Sequence, residues 1–96
     1  MKKRALDLGK LAHQLKKKGK FKEAEETYRE LLTLDKNNTY ALVGLGDLKR
    51  RSMRFEDAVG FYKQCLLIEK DNWHALAGLG DAYRGLKDLD KAIAAW

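Results

Sequence analysis

Apolar residues recur every three and four positions along most of the chain. Leu42, Leu45, Gly46 and Lys49 step this way, as do Ala58, Phe61, Tyr62, Cys65, Leu66 and Glu69, with polar residues interrupting single steps. That is the period of a helix with one buried face. Asn38 and Asn72 stand as N-caps before two of these segments. Acids gather where second helices should begin, near positive N-termini: Glu23, then Glu56 and Asp57, then Asp88 and Asp90. Gly19 and Gly85 fall near the ends of first helices, where a left-handed cap fits. The pattern predicts helices near 4–18, 21–35, 39–51, 55–69 and 73–85, then a stub over 88–96.

The pattern also repeats. "ALVGLGD" at 41–47 returns as "ALAGLGD" at 75–81, a step of 34 residues. At the same step Ala24, Ala58 and Ala92 align, as do Tyr28, Tyr62 and Trp96, Leu8, Leu42 and Leu76, and Leu11, Leu45 and Leu79. Polar pairs keep the beat: Asp35 with Glu69, Lys36 with Lys70, Asn38 with Asn72. A period of this length marks a stacked array of two-helix units, none of which can bury its apolar face alone. The units run over 5–38, 39–72 and 73–96, the last cut short, within one domain spanning 1–96.

The signature inside each unit resembles the tetratricopeptide repeat, W-x2-L-G-x2-Y followed by A-x3-F. Here it reads Leu76-x2-Leu79-Gly80-x2-Tyr83 then Ala92-x3-Trp96, with Leu42-x2-Leu45-Gly46-x2-Lys49 then Ala58-x3-Tyr62 before it. The first unit reads Leu8-x2-Leu11-Ala12-x2-Leu15 then Ala24-x3-Tyr28. Leucine replaces the family's first Trp throughout, and Lys36 and Lys70 replace its terminal Pro, a weakened stop through which consecutive helices could merge. The resemblance implies an all-α fold, a right-handed α-solenoid of tandem helix–turn–helix repeats with the third incomplete. It also implies a non-enzymatic scaffold for protein–protein interaction that binds a peptide or helix in a concave groove. Small residues at Ala12, Gly46, Gly80, Ala24, Ala58 and Ala92 are expected where helices cross closely, with Tyr28, Tyr62 and Trp96 filling the gaps between units.

Composition narrows this further. The chain has 96 residues, no proline, and 20 Lys and Arg against 14 Asp and Glu, for a net charge of +6. Its one cysteine excludes an internal disulfide and fits a reducing, cytoplasmic setting. No run approaches the ~18–20 apolar residues of a membrane span. The basic tracts "LKKKGKFK" at 15–22 and "KRRSMR" at 49–54 fall at the turns between paired helices and would form a ridge. That ridge supports the alternative reading, RNA or anionic-surface binding, although stacking aromatics are not interleaved there.

The duplicated G-x-G raises the question of a phosphate loop. Lys49 and Tyr83 stand where a third glycine is needed, no β-rich run precedes either copy, and no Gly-Lys-Ser/Thr ending follows. Gly46 and Gly80 therefore read as packing contacts, whereas Gly44 and Gly78 fall on the groove side, where they could make room for a ligand backbone. The candidate peptide groove comprises Tyr40, Gly44, Asp47, Arg50, His74, Gly78, Asp81 and Arg84. Asp47 precedes Arg50 and Arg51 by three and four residues, and Asp81 precedes Arg84 by three, spacings worth about 0.2–0.5 kcal/mol per ion pair on a helix. The functional reading is a cationic row of Lys16, Arg50 and Arg84 offered to an acidic peptide, with Tyr40 and His74 as flat contacts. Chaperone-binding members of the family clamp a C-terminal carboxylate, but the matching positions hold Gly9, His13, Gly44, His74 and Gly78, and no clamp residue is present. Cys65 reads as buried filler, and His13 and His74 are too few for a metal site. No catalytic residue, metal or cofactor is expected. "KAIAAW" at the end lacks the polar outer face of a terminal cap. The chain is therefore expected to continue in a longer protein or to cover this end by pairing with another copy.

Overall fold

The computed structural model describes residues 2–95, with side chains over 6–94. Trp96 lies outside the described residues. The described chain is five helices: α1 (Lys2–Lys17), α2 (Phe21–Leu34), α3 (Thr39–Arg51), α4 (Phe55–Ile68) and α5 (Trp73–Ala95). α1, α3 and α5 lie side by side. α2 packs behind α1 and α3, and α4 packs behind α3 and α5. The result is an all-α helical repeat solenoid, 50 Å along its longest axis.

Buried positions follow the helical period. On α2 they are Ala24, Thr27, Tyr28 and Leu31, and on α4 Ala58, Tyr62 and Cys65. α3, enclosed by neighbours on several sides, buries Ala41, Leu42, Gly44, Leu45, Gly46 and Leu48. The core divides in two around the tyrosines. Tyr28 packs with Ala12, Ala24, Leu31, Ala41 and Leu45, and Tyr62 with Leu42, Ala58, Cys65, Ala75 and Ala82.

Local chemistry sets the turns between repeats. Asn38 Oδ1 accepts the Ala41 N–H at 2.9 Å, and Asn72 Oδ1 accepts the Ala75 N–H at 3.0 Å. Each satisfies a donor that an uncapped helix start leaves orphaned. With these caps in place, α2 stops at Leu34 and α4 at Ile68 despite Lys36 and Lys70. Glu23, Glu56 and Asp57 sit in the first turns of α2 and α4 as expected.

The turns within repeats are Schellman caps. In the first, the Gly19 N–H donates to the Lys16 carbonyl and the Lys20 N–H to the Leu15 carbonyl, with Gly19 left-handed at φ 80°. The second repeats these bonds one period later, from Met53 to Arg50 and from Arg54 to Lys49, with Met53 at φ 63°.

The third unit departs from expectation. No turn forms near residue 87, and α5 runs unbroken for 23 residues. The merger occurs inside a repeat, not at the Lys36 or Lys70 junctions. Gly85 is mid-helix rather than a cap, and an added Cβ there would run into the Phe55 ring. The position in register with Gly19 is Lys87, and lysine gains nothing from a left-handed conformation. Asp88 and Asp90 consequently lie within a helix, not at a helix start. Gly80 is exposed with open space beyond its Cα, and Ala92 is exposed as well, because no second helix folds back upon them. Both were expected at close helix crossings.

Candidate functional site

The faces of α1, α3 and the start of α5 form a cleft of about 380 Å³. His13 and Lys16 come from α1, Tyr40, Val43, Gly44 and Asp47 from α3, and Asn72 and His74 from the entry to α5. A second cleft of about 470 Å³ opens at the N-terminal end, lined by Leu6, Gly9, Lys10, Leu31, Asp35 and Asn38. Tyr40 lines both, so its half-exposed ring stands as a partition between them. The ring is held from below: its centroid lies 6.2 Å from that of Tyr28 and 6.5 Å from that of His13, and it covers Gly9.

Gly44 and Gly78 are buried, and a Cβ on either would come within 3.0 Å of a tyrosine ring, Tyr28 for Gly44 and Tyr62 for Gly78. Their missing side chains admit a ring from the preceding repeat. Gly46 does the same within its own repeat, since a Cβ there would lie 2.6 Å from the Tyr62 ring. A ligand backbone is not required to explain any of the three, although Gly44 also borders the cleft.

The charged row is largely committed internally. Asp47 Oδ2 pairs with Lys16 Nζ at 3.4 Å, and Asp47 Oδ1 with Arg50 at 3.6 Å. Tyr62 donates its hydroxyl to Asp47 Oδ1 and accepts from Arg50 Nε at 3.2 Å. Burial, reinforced by the hydrogen bond to Asp47, pushes the Tyr62 phenol above its ordinary range. Arg51 does not reach Asp47 but lies over the Phe21 ring at 5.6 Å. Arg84 pairs with Asp81 at 3.7 Å and is 75% exposed, the loosest member of the row.

Of the eight predicted groove residues, Tyr40, Gly44, Asp47 and His74 converge on the cleft, whereas Arg50, Gly78, Asp81 and Arg84 do not line it. Glu69, Thr39 and Asn72 line it without having been singled out as groove residues. Asn72 carried a signal as an N-cap, whereas Glu69, expected as the last residue of the fourth helix, instead caps its C-terminal end and so reaches the cleft. His74 stacks on Trp73 with centroids 3.8 Å apart, and Trp73 is itself 68% exposed. Cys65 is fully buried, and burial pushes its thiol up. Among the described residues no three His, Cys, Asp or Glu side chains are placed to hold a metal. No helix of the described residues is long and apolar enough to cross a membrane.

Two tetratricopeptide repeat models match the chain, one over residues 8–38 and 74–95 and the other over 41–72. No curated protein sequence matches it. Among solved structures it is similar to the Yersinia enterocolitica type III secretion translocator chaperone SycD, in a crystal structure described as an alternative dimer. The TM-score is 0.60 and the identity 20%, over 95% of this chain and 86% of that one, a likeness of fold. With repeat models matching nearly its whole length and a helix–turn–helix stack to match them, the chain belongs to the tetratricopeptide repeat family.

Proposed function

We propose that this scaffold binds an extended peptide segment of a partner protein along the face of α1, α3 and α5, and that it does so without catalysis. The observation that carries the reading is the pair of clefts meeting at Tyr40, which give an extended chain two adjacent hollows and an aromatic wall between them. The family supports a protein-interaction role. Within the row of Lys16, Arg50 and Arg84, an acidic side chain on the peptide finds its most accessible cation at Arg84, because Lys16 and Arg50 already face Asp47.

Peptides selected from a random display library on the immobilised protein test this, followed by titration of the selected peptides. Tyr40→Ala and His74→Ala should each weaken binding at least tenfold, with Arg84→Glu selectively weakening acidic peptides. Neutralising Lys18, Lys20 and Arg54 on the turn ridge should leave peptide binding unchanged. Peptide binding that survives Tyr40→Ala overturns the cleft reading, and a separate titration with RNA whose affinity falls steeply with salt would assign the function to the ridge.

A further inference from the structure

The exposed stripe on α5 and the end of α5 are two halves of a packing that the middle repeat completes. In the middle repeat Leu42 is 3% exposed within the cluster around Tyr62, Ala58 is fully buried, and Gly46 receives the Tyr62 ring. One period later the same positions stand open. Leu76 is 49% exposed, Gly80 faces open space, and Tyr83 is 46% exposed, with Trp73 at 68% continuing the stripe. The matching second-helix pattern is also present: Leu89, Ala92 and Ile93 stand in register with Phe55, Ala58 and Val59. Ile93 is 65% exposed and Ala92 is exposed too.

Stripe and segment belong to one straight helix, so within a chain neither can cover the other. We infer that two copies pair reciprocally through α5, residues 86–95 of each taking the place against Leu76, Gly80 and Tyr83 of the other that α4 takes against α3. The two α5 helices run antiparallel, as α3 and α4 do, and the two-fold axis passes near Lys87, the position in register with the Met53 turn that joins α3 to α4. The arrangement is isologous and closes on itself. The face it uses lies apart from the clefts around Tyr40, so the inference stands independently of the proposed groove.

Sedimentation equilibrium over a concentration series reads the pairing directly. The expected result is a species of twice the 11.0 kDa chain mass, and a monomer throughout overturns the inference. Leu76→Asp spoils the stripe and Ala92→Arg spoils the segment. Each changes a solvent-facing position of the single chain, so each variant should be a folded monomer. An equimolar mixture of the two contains one intact stripe and one intact segment, and association should return in it. A mixture that stays monomeric while the unaltered chain dimerises overturns the exchange and points to simple apolar contact. Lys87→Gly gives a second measurement. A left-handed residue there lets the segment turn back on its own stripe, converting dimer to monomer at unchanged helix content. A dimer unaffected by Lys87→Gly also overturns the inference.

Discussion

Tyr62 of α4 donates its hydroxyl to Asp47 of α3 across 2.5 Å, and that one bond ties the buried layer to the cleft surface. Arg50 and Lys16 converge on the same carboxylate. Tyr62→Phe keeps the ring between repeats and removes only the hydroxyl, so urea unfolding should show a loss of about 1 kcal/mol. Tyr62→Ala empties the socket between α3 and α5 and should cost about 3–5 kcal/mol.

The duplicated G-x-G should respond to alanine with opposite signs. Gly44, Gly46 and Gly78 each face a tyrosine ring, so Ala there overpacks the helix crossing and should destabilise by about 1–3 kcal/mol. Gly80 faces open space, and Gly80→Ala should stabilise by up to about 1 kcal/mol through helix propensity alone. Thermal melts at low protein concentration, where any pairing through α5 is diluted out, separate the two groups.

The two Schellman turns make a second contrast. Gly19 and Met53 share a left-handed backbone, which costs a side-chain-bearing residue roughly 1–2 kcal/mol. Gly19→Ala should therefore destabilise the chain by about 1 kcal/mol. Met53→Gly relieves the strain but adds freedom to the unfolded chain, for a net gain of up to about 1 kcal/mol. Urea midpoints of the two variants, moving in opposite directions, check this.

Acid should weaken the contact between α2 and α3. Burial raises the Glu25 carboxyl, but hydrogen bonds from Lys49 and Arg29 outweigh it and hold the group below its ordinary value of 4.5. A folded pKa below the unfolded one gives stability that is present above pH 4.5 and lost as the pH falls through the folded value. Glu25→Gln should flatten that part of the stability curve.

Alkali acts through the tyrosines in the opposite sense. Burial pushes Tyr28 and Tyr62 above their ordinary 10.0, so their contribution is full below pH 10 and lost as the pH rises through the folded values. Ultraviolet titration should show these two phenols ionising only as the fold opens. The double variant Tyr28→Phe, Tyr62→Phe should resist alkali to a higher pH.

What was legible in the chain was local or periodic. The asparagine caps, the small residues under the rings of the first two repeats and the acids at the starts of α2 and α4 all follow from short-range chemistry repeated at a fixed step. What was not legible depends on distant contacts. Lys16 and Asp47 are 31 residues apart, and no spacing rule predicts that one neutralises the other. Gly46 and Gly80 sit in nearly identical heptapeptides yet meet a ring and open space respectively. The difference arises seven residues downstream of each. Met53 turns the chain and Lys87 does not, and because neither is glycine the residue type at that position does not announce the difference.

The Tyr62 ring touches Gly46 in its own repeat and Gly78 in the next, so it belongs to neither alone. The unit that melts is accordingly displaced from the unit that duplicates. A chain trimmed after Asn72, the repeat boundary by sequence, would keep the ring and lose half of its socket. Sections of this solenoid that are to stand alone are better defined by complete tyrosine sockets than by whole copies of the repeat.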